Sequence, residues 1–135
     1  GKLFQPYIVA KIIDEQNKRT ILENQPKKIG ENLVSKDHLE LVKQGMLEAC
    51  QQGGTGWPFF DFAQKHAGIE VGCKTGTAEF GTDKPHAWFT GWMPYTEPEI
   101  VITVLIEAGG EGSASAVPVA KEIMDWWTKN RESRN

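Results

Sequence analysis

The stretch Val71-Gly72-Cys73-Lys74-Thr75-Gly76-Thr77-Ala78-Glu79-Phe80-Gly81 decides how this chain is read. A lysine, two threonines and a glycine sit inside what reads as a strand from Ile69 to Glu79, with turn formers beginning at Gly81. Side chains alternate faces along a strand, so Lys74 and Gly76 project the same way. A ligand lying over that face meets an ammonium and then a position with no side chain. Gly76 lets a second backbone approach closely enough to pair as an added strand. The threonine hydroxyls can hold an anionic group from the strand edge. The Thr77 N–H, aimed into a cleft, can stabilise an oxyanion, an effect of about 3–4 kcal/mol per donor. The plain alternative is that Lys74 only keeps an exposed edge from pairing with another chain.

Outward from this strand, His86 to Met93 and Glu99 to Ala108 read as two further strands. Their connections, Gly81 to Pro85 and Pro94 to Pro98, are short enough for antiparallel neighbours. The run Ile100 to Ile106 is apolar at nearly every position, which predicts a central strand covered on both faces. Gly109-Gly110-Glu111-Gly112 breaks it. A helix from about Ala114 to Lys129 follows, with Val119, Ile123 and Trp126 or Trp127 expected to face the sheet.

Upstream, Pro6 to Asp14 and Arg19 to Glu23 are β-branched runs around a turn-like Glu15-Gln16-Asn17-Lys18 and predict a hairpin. Gln25 to Leu33 reads as a loop. Ser35 offers an N-cap to a helix spanning about Lys36 to Gln52, with Leu39, Val42, Met46 and Cys50 on one stripe. Gly53-Gly54-Thr55-Gly56 ends it. Trp57 to Phe60 forms an apolar plug, followed by a short helical turn reaching His66. The predicted class is α+β: an antiparallel sheet packed with helices.

The bulk properties narrow the function classes. With 39% hydrophobic and 24% charged residues, the 135-residue chain can bury a modest core as one domain. The net charge of −3 and the lack of a basic block before the C-terminal tail argue against nucleic acid as a partner. No apolar run reaches the ~18 residues needed to cross a bilayer, so the piece itself is expected to be soluble. It opens on Gly1-Lys2-Leu3-Phe4, mid-phrase, as an excised piece would. His38, His66 and His86 are scattered and the two cysteines have no metal spacing, so neither a metal nor another cofactor is expected. Cys50 and Cys73 can pair as a disulfide, although two buried free thiols are the commoner state. His86 reads as a satisfied strand histidine, and Trp88, Trp92, Trp126 and Trp127 as core rather than a sugar or membrane platform. Trp57, in its Gly-rich loop, is either structural like these or borders the cleft. Glu79 and Glu107 read as solvated strand ends, not as a catalytic carboxylate pair.

Lys74-Thr75-Gly76-Thr77 resembles the third motif of the penicillin-recognising acyl-serine transferases, the partner of S-x-x-K and S-x-N. Its surroundings strengthen the resemblance. The phrases I-E-V-G-C-K-T-G-T-A-E-F-G, H-A-W-F-T-G-W-M-P and I-V-I-T-V-L-I-E-A-G-G-E-G, then a helix with A-S-A-V-P-V-A-K-E-I, look like the C-terminal run of a penicillin-binding protein. The opening G-K-L-F-Q-P-Y-I-V resembles the segment after the S-x-N helix. H-A-W-F looks more like the elongation-type, class B enzymes than the division type. By this resemblance Lys74 lines the cleft and assists proton transfer. Thr75 and Thr77 hold the carboxylate of a stem peptide or β-lactam, and Gly76 gives clearance. The Thr77 N–H supplies half of the oxyanion hole, and Gly109 and Gly110 lie near the cleft rim. The resemblance places the parent protein at the extracytoplasmic face of the bacterial cytoplasmic membrane.

One departure is decisive for activity. No S-x-x-K occurs: Ser35, Ser113 and Ser115 are followed by K-D-H, A-S-A and A-V-P. The one S-x-N, Ser133-Arg134-Asn135, falls at the tail and in the wrong order. The expectation is therefore a partial transpeptidase domain over residues 1–135, carrying one wall of a site and neither the nucleophile nor its base. Two other classes compete: a β-lactam sensor sharing fold and motif, and a non-catalytic binding module. A β-lactamase is disfavoured because no deacylating group is evident. Without the upstream half of the domain, exposed apolar surface predicts self-association of the piece by sheet edges or swapped elements, or unusual mobility around Gly53 to His66.

Overall fold

The computed structural model describes residues 1–81 and 84–131, so Thr82, Asp83 and the Ser133-Arg134-Asn135 tail lie outside the described residues. The chain divides into two compact units, Gly1–Leu41 and Val42–Asn135.

The first unit contains two small antiparallel ribbons. β1 (Lys2–Phe4) pairs with β4 (Lys28–Glu31), and β2 (Lys11–Asp14) pairs with β3 (Arg19–Glu23). The β2–β3 hairpin is the predicted one, with a shorter first strand. The Asp14 carboxylate caps its turn, accepting the Asn17 side-chain amide and the Gln16 N–H, both at 2.9 Å. These bonds, that from Asn17 foremost, hold the carboxyl below its ordinary range. The expected loop from Gln25 to Leu33 is corrected: its middle is β4, which has no strand pattern of its own and is strand only because β1 supplies the ladder. None of residues 1–41 is buried.

Helix α1 (Lys36–Ala49) starts at the predicted cap, where the His38 N–H donates to Ser35 Oγ at 3.3 Å. Its predicted stripe is only partly used. Cys50, just past its end, is buried, whereas Val42 is 58% exposed.

The second unit holds the core. β5 (Gly72–Ala78), β6 (His86–Met93) and β7 (Ile100–Ile106) form an antiparallel sheet in that order. Helix α3 (Gly112–Asn130) packs against it and against the 3₁₀ turn Trp57–Phe59, which in turn meets the one-turn helix α2 (Phe62–Lys65). The Phe59 and Phe89 rings stack at 5.6 Å and Phe62 lies 5.3 Å from Phe59. Phe62, Phe89, Met93, Met124 and Val117 are fully buried, each burial contributing about 1.5–3 kcal/mol.

Three expectations for this unit are corrected. β7 is not covered on both faces. Ile102 is buried and Val104 and Ile106 pack on the core, while Val101 and Leu105 are 69% and 43% exposed. β7 ends the described sheet, and α3 packs on the face that carries Ile102. Helix α3 also turns a different side inward. Val119, Ile123 and Trp126 are exposed, and the packed stripe is Ala116, Val117, Ala120, Met124 and Trp127. Two apolar stripes compete on this helix, and the one with alanines lets it approach the sheet more closely. Finally, Cys50 and Cys73 are not free thiols: they form a disulfide with Cα atoms 5.9 Å apart.

Candidate functional site

β5 is an edge strand, so alternate N–H and C=O groups along it point away from β6. Its register against β6 sets Lys74 opposite Thr90, Thr75 opposite Phe89, Gly76 opposite Trp88 and Thr77 opposite Ala87. Residues opposite one another share a face. Lys74 and Gly76 therefore belong to the face of Thr90 and Trp88, as alternation predicts. Thr75 and Thr77 share the side of buried Phe89 and Ala87. Lys74 and Thr77 are exposed, and Thr75 and Gly76 are half-buried. The motif thus lies along an accessible edge, with a cation on one face and two hydroxyls on the other.

Local contacts hold the strand in place. The Lys74 ammonium folds onto the Thr75 carbonyl. The Thr75 hydroxyl bonds the Thr55 hydroxyl at 2.8 Å. On β6 and β7, Thr90, which lies beside Lys74, pairs its hydroxyl with that of Thr103 at 3.0 Å. A Cβ at position 76 would stand 3.1 Å from Trp88 Cβ, so Gly76 accommodates its neighbour as well as offering room outward. The N-terminal end of α3 approaches the same point. A Cβ on Gly112 would meet the Trp88 and Gly76 carbonyl oxygens at 2.4 and 2.5 Å. Only glycine lets the helix start lie on that backbone.

The remaining candidates are placed plainly. Gly109 and Gly110 bind the β7–α3 loop to the start of β6. The Gly110 N–H donates to the Pro85 carbonyl at 2.9 Å, and Ser115 Oγ donates to the Gly109 carbonyl at 2.6 Å. His86 Nδ1 accepts the Ala108 N–H at 3.0 Å and its ring stacks on Phe80, which is the structural role expected of it. Trp127 is core, whereas Trp57 and Trp126 are each 55% exposed. Glu79 and Glu107 are exposed beyond the ends of β5 and β7.

Sequence reasoning missed Thr55 and Gly112 as neighbours of the motif, because a G-G-T-G loop and a helix-opening glycine carry no partner information. It also missed a polar cluster joining α2 to α3. His66 Nε2 meets Asp125 Oδ1 at 2.6 Å, Lys121 donates to Asp125 Oδ2 at 2.8 Å, and Thr128 Oγ1 lies 3.0 Å from His66 Nδ1. Burial pushes the Asp125 carboxyl up, but hydrogen bonds and charge from Lys121 and His66 outweigh it and hold the pKa below the ordinary value. This cluster shares no residue with the K-T-G-T strand.

An exposed edge offering an ammonium, two hydroxyls and backbone amides that face away from β6 suits an extended ligand ending in an anion. Comparison with known proteins gives the chain its family. Residues 1–125 match the model of the penicillin binding protein transpeptidase domain. The chain belongs to this family.

The peptidoglycan D,D-transpeptidase MrdA of Haemophilus influenzae is 33% identical to this transpeptidase-family chain over 108 residues, which is 68% of the chain and 16% of MrdA. The D,D-transpeptidase domain of a peptidoglycan glycosyltransferase from Eggerthella lenta superposes with a TM-score of 0.68 at 31% identity, over 98% of this chain and 29% of that one. Penicillin-binding protein A of M. tuberculosis, as its imipenem acyl-enzyme complex, gives a TM-score of 0.64 at 25% identity, over 93% of this chain and 26% of that one. The chain thus spans about one sixth of the length of the MrdA relative. The α+β class expected from the sequence is the class of these structures.

Proposed function

We propose that this chain is the C-terminal part of the transpeptidase domain of a class B, elongation-type penicillin-binding protein, and that β5 forms one wall of its acyl-transfer site. The observation that carries the proposal is Lys74-Thr75-Gly76-Thr77 on an accessible edge strand, in a chain matched to the family over residues 1–125. In the assembled site a serine from the upstream half attacks the carbonyl carbon between the two D-alanines of a stem peptide. The C=O π electrons move onto oxygen, and the Thr77 N–H is one of two donors receiving that charge. Collapse breaks the C–N bond, the proton lost by the serine hydroxyl passes to the departing nitrogen, and terminal D-alanine leaves an acyl-serine behind. An amine from a neighbouring stem then displaces the serine oxygen. A β-lactam follows the first half of this course, and ring opening leaves the serine blocked.

Each residue has a distinct duty in this scheme. The Thr75 and Thr77 hydroxyls bind the ligand carboxylate. Gly76 allows the ligand backbone to pair along β5. Lys74 brings positive charge to the cleft, attracting the carboxylate and assisting proton movement to the leaving amine. The 135 residues contain no S-x-x-K, so the chain alone does not form an acyl-enzyme. The parent protein works at the extracytoplasmic face of the cytoplasmic membrane, where its peptidoglycan substrate lies. Among the described residues, no helix is long and apolar enough to cross a membrane.

The test is coexpression of this chain with the upstream part of its domain, followed by intact mass measurement after benzylpenicillin is added. A covalent adduct on the upstream piece, lost with Lys74→Ala or Thr77→Pro, is expected. A folded complex that forms no adduct overturns the assignment in favour of a non-catalytic module.

A further inference from the structure

We propose that Thr55 is a positioning residue for the Thr75 hydroxyl and that the Cys50–Cys73 disulfide fixes it in that role; the inference rests on the reading of K-T-G-T given above. Thr55 lies outside the motif, in the loop between α1 and the Trp57–Phe59 turn, yet its Oγ1 is 2.8 Å from Thr75 Oγ1.

The loop is fastened on both sides of Thr55. On one side, Cys50 is bonded to Cys73, two residues before Thr75 on β5. On the other, Gly56 lies directly on that disulfide. A Cβ there would stand 2.9 Å from Cys50 Sγ and 3.0 Å from Cys73 Sγ, and the Gly56 N–H donates to the Ala49 carbonyl at 2.7 Å. Phe59, three residues further on, is buried in the core. The Thr55 backbone is therefore tied to the strand that carries the motif through a covalent bond, a hydrogen bond and the core.

The chemistry follows from the hydroxyl inventory. A threonine hydroxyl has one proton and two lone pairs. When the Thr75 O–H donates a hydrogen bond to a ligand carboxylate, the Thr55 O–H donates one to a Thr75 lone pair. That bond selects the rotor state in which the Thr75 proton points outward, and it polarises the Thr75 O–H. Without Thr55 the Thr75 hydroxyl is free to turn its proton elsewhere. Thr55 acts through Thr75 and does not itself touch the ligand.

The experiment uses the complex of this chain with the upstream part of its domain. Rate constants for acylation are measured with benzylpenicillin and with its methyl ester, which lacks the carboxylate charge. Thr55→Val is expected to slow the acid about five- to tenfold and the ester no more than about twofold, with Thr55→Ser restoring the acid rate. Thr55→Ala serves the same comparison if valine crowds the loop. The double variant Cys50→Ala/Cys73→Ala is expected to lower the acid-to-ester ratio in the wild-type background and to add little in Thr55→Val. Equal slowing of acid and ester overturns the proposal in favour of a structural role, and no slowing of the acid also overturns it. Equal effects of the cysteine variant in both backgrounds overturn the part assigned to the disulfide. Thr75→Val separates the two levels of inference. If Thr75→Val lowers the acid-to-ester ratio but Thr55→Val does not, this proposal alone falls. If Thr75→Val leaves the ratio unchanged, the carboxylate-binding reading falls and this proposal with it.

Discussion

The two units of this chain differ more in burial than in secondary structure. Residues 1–41 form four short strands without one buried residue, and Ile8, Ile21 and Ile29 are among its exposed apolar side chains. Residues from Val42 onward form a sheet, a long helix and an aromatic plug around fully buried Phe62, Phe89 and Met124. Backbone pairing alone thus suffices to define a strand, but it does not make a region stable. Two-stranded ribbons are marginal in water unless a face is covered. The candidate strand β5 belongs to the unit that has a core, as a site requiring fixed geometry demands.

Substitutions can break this contrast, beginning with the largest effect. Phe89→Ala removes a ring that stacks on Phe59 from the centre of the second unit. It is expected to cost about 3–5 kcal/mol, read by urea unfolding followed through tryptophan fluorescence. A loss below about 1 kcal/mol would mean that this core does not carry the stability. Next, Cys50→Ala/Cys73→Ala opens the link between residues 23 apart in sequence, with an expected cost of about 2–4 kcal/mol in the same measurement.

The Asp125 cluster sharpens the comparison through pH. Its carboxyl is depressed in the folded state, so its contribution is fully present above the unfolded value near 3.8 and is lost as pH falls through the lower folded value. Asp125→Asn is therefore expected to destabilise by about 1–2 kcal/mol at pH 7. The gap to wild type should close as the solution is taken below pH 3.8. An unchanged gap at low pH would show that the charge is not the stabilising element. At the small end, Ile21→Ala in the first unit is expected to change stability by less than about 0.5 kcal/mol. Hydrogen exchange should show β2 and β3 amides exchanging well before those of β6. Protection of β3 equal to that of β6 would erase the distinction between the units.

The exposed apolar residues of β7, Val101 and Leu105, bear on the expected self-association. Leu105→Lys is expected to lower any concentration-dependent mass in sedimentation velocity while leaving the circular dichroism spectrum unchanged.

Much of the second unit was legible from local pattern. Gly81, Pro94 and Pro98 punctuate three strands, and the antiparallel order follows from connections too short for a crossover. The hairpin at Asp14 and the Ser35 cap were legible for the same reason: their hydrogen bonds join residues two or three apart. What escaped depends on residues far apart. β4 needed β1, the packed stripe of α3 needed the sheet, and Thr55 needed Thr75. Gly112 had no visible meaning until the Trp88 and Gly76 carbonyls stood beneath it.

The sequence by itself determined the α+β class, the K-T-G-T strand with its alternating faces, and a resemblance that the family match bears out. These rest on periodicity, turn chemistry and residue order, all carried within a few residues. Tertiary structure alone decided that Cys50 meets Cys73, that α3 packs through its alanines, that β7 shows one apolar face to solvent, and that Thr55 reaches Thr75. Each of these is a choice between surfaces of similar composition. Close packing makes that choice, because only one pairing of helix, loop and sheet brings the backbones near enough to exclude water.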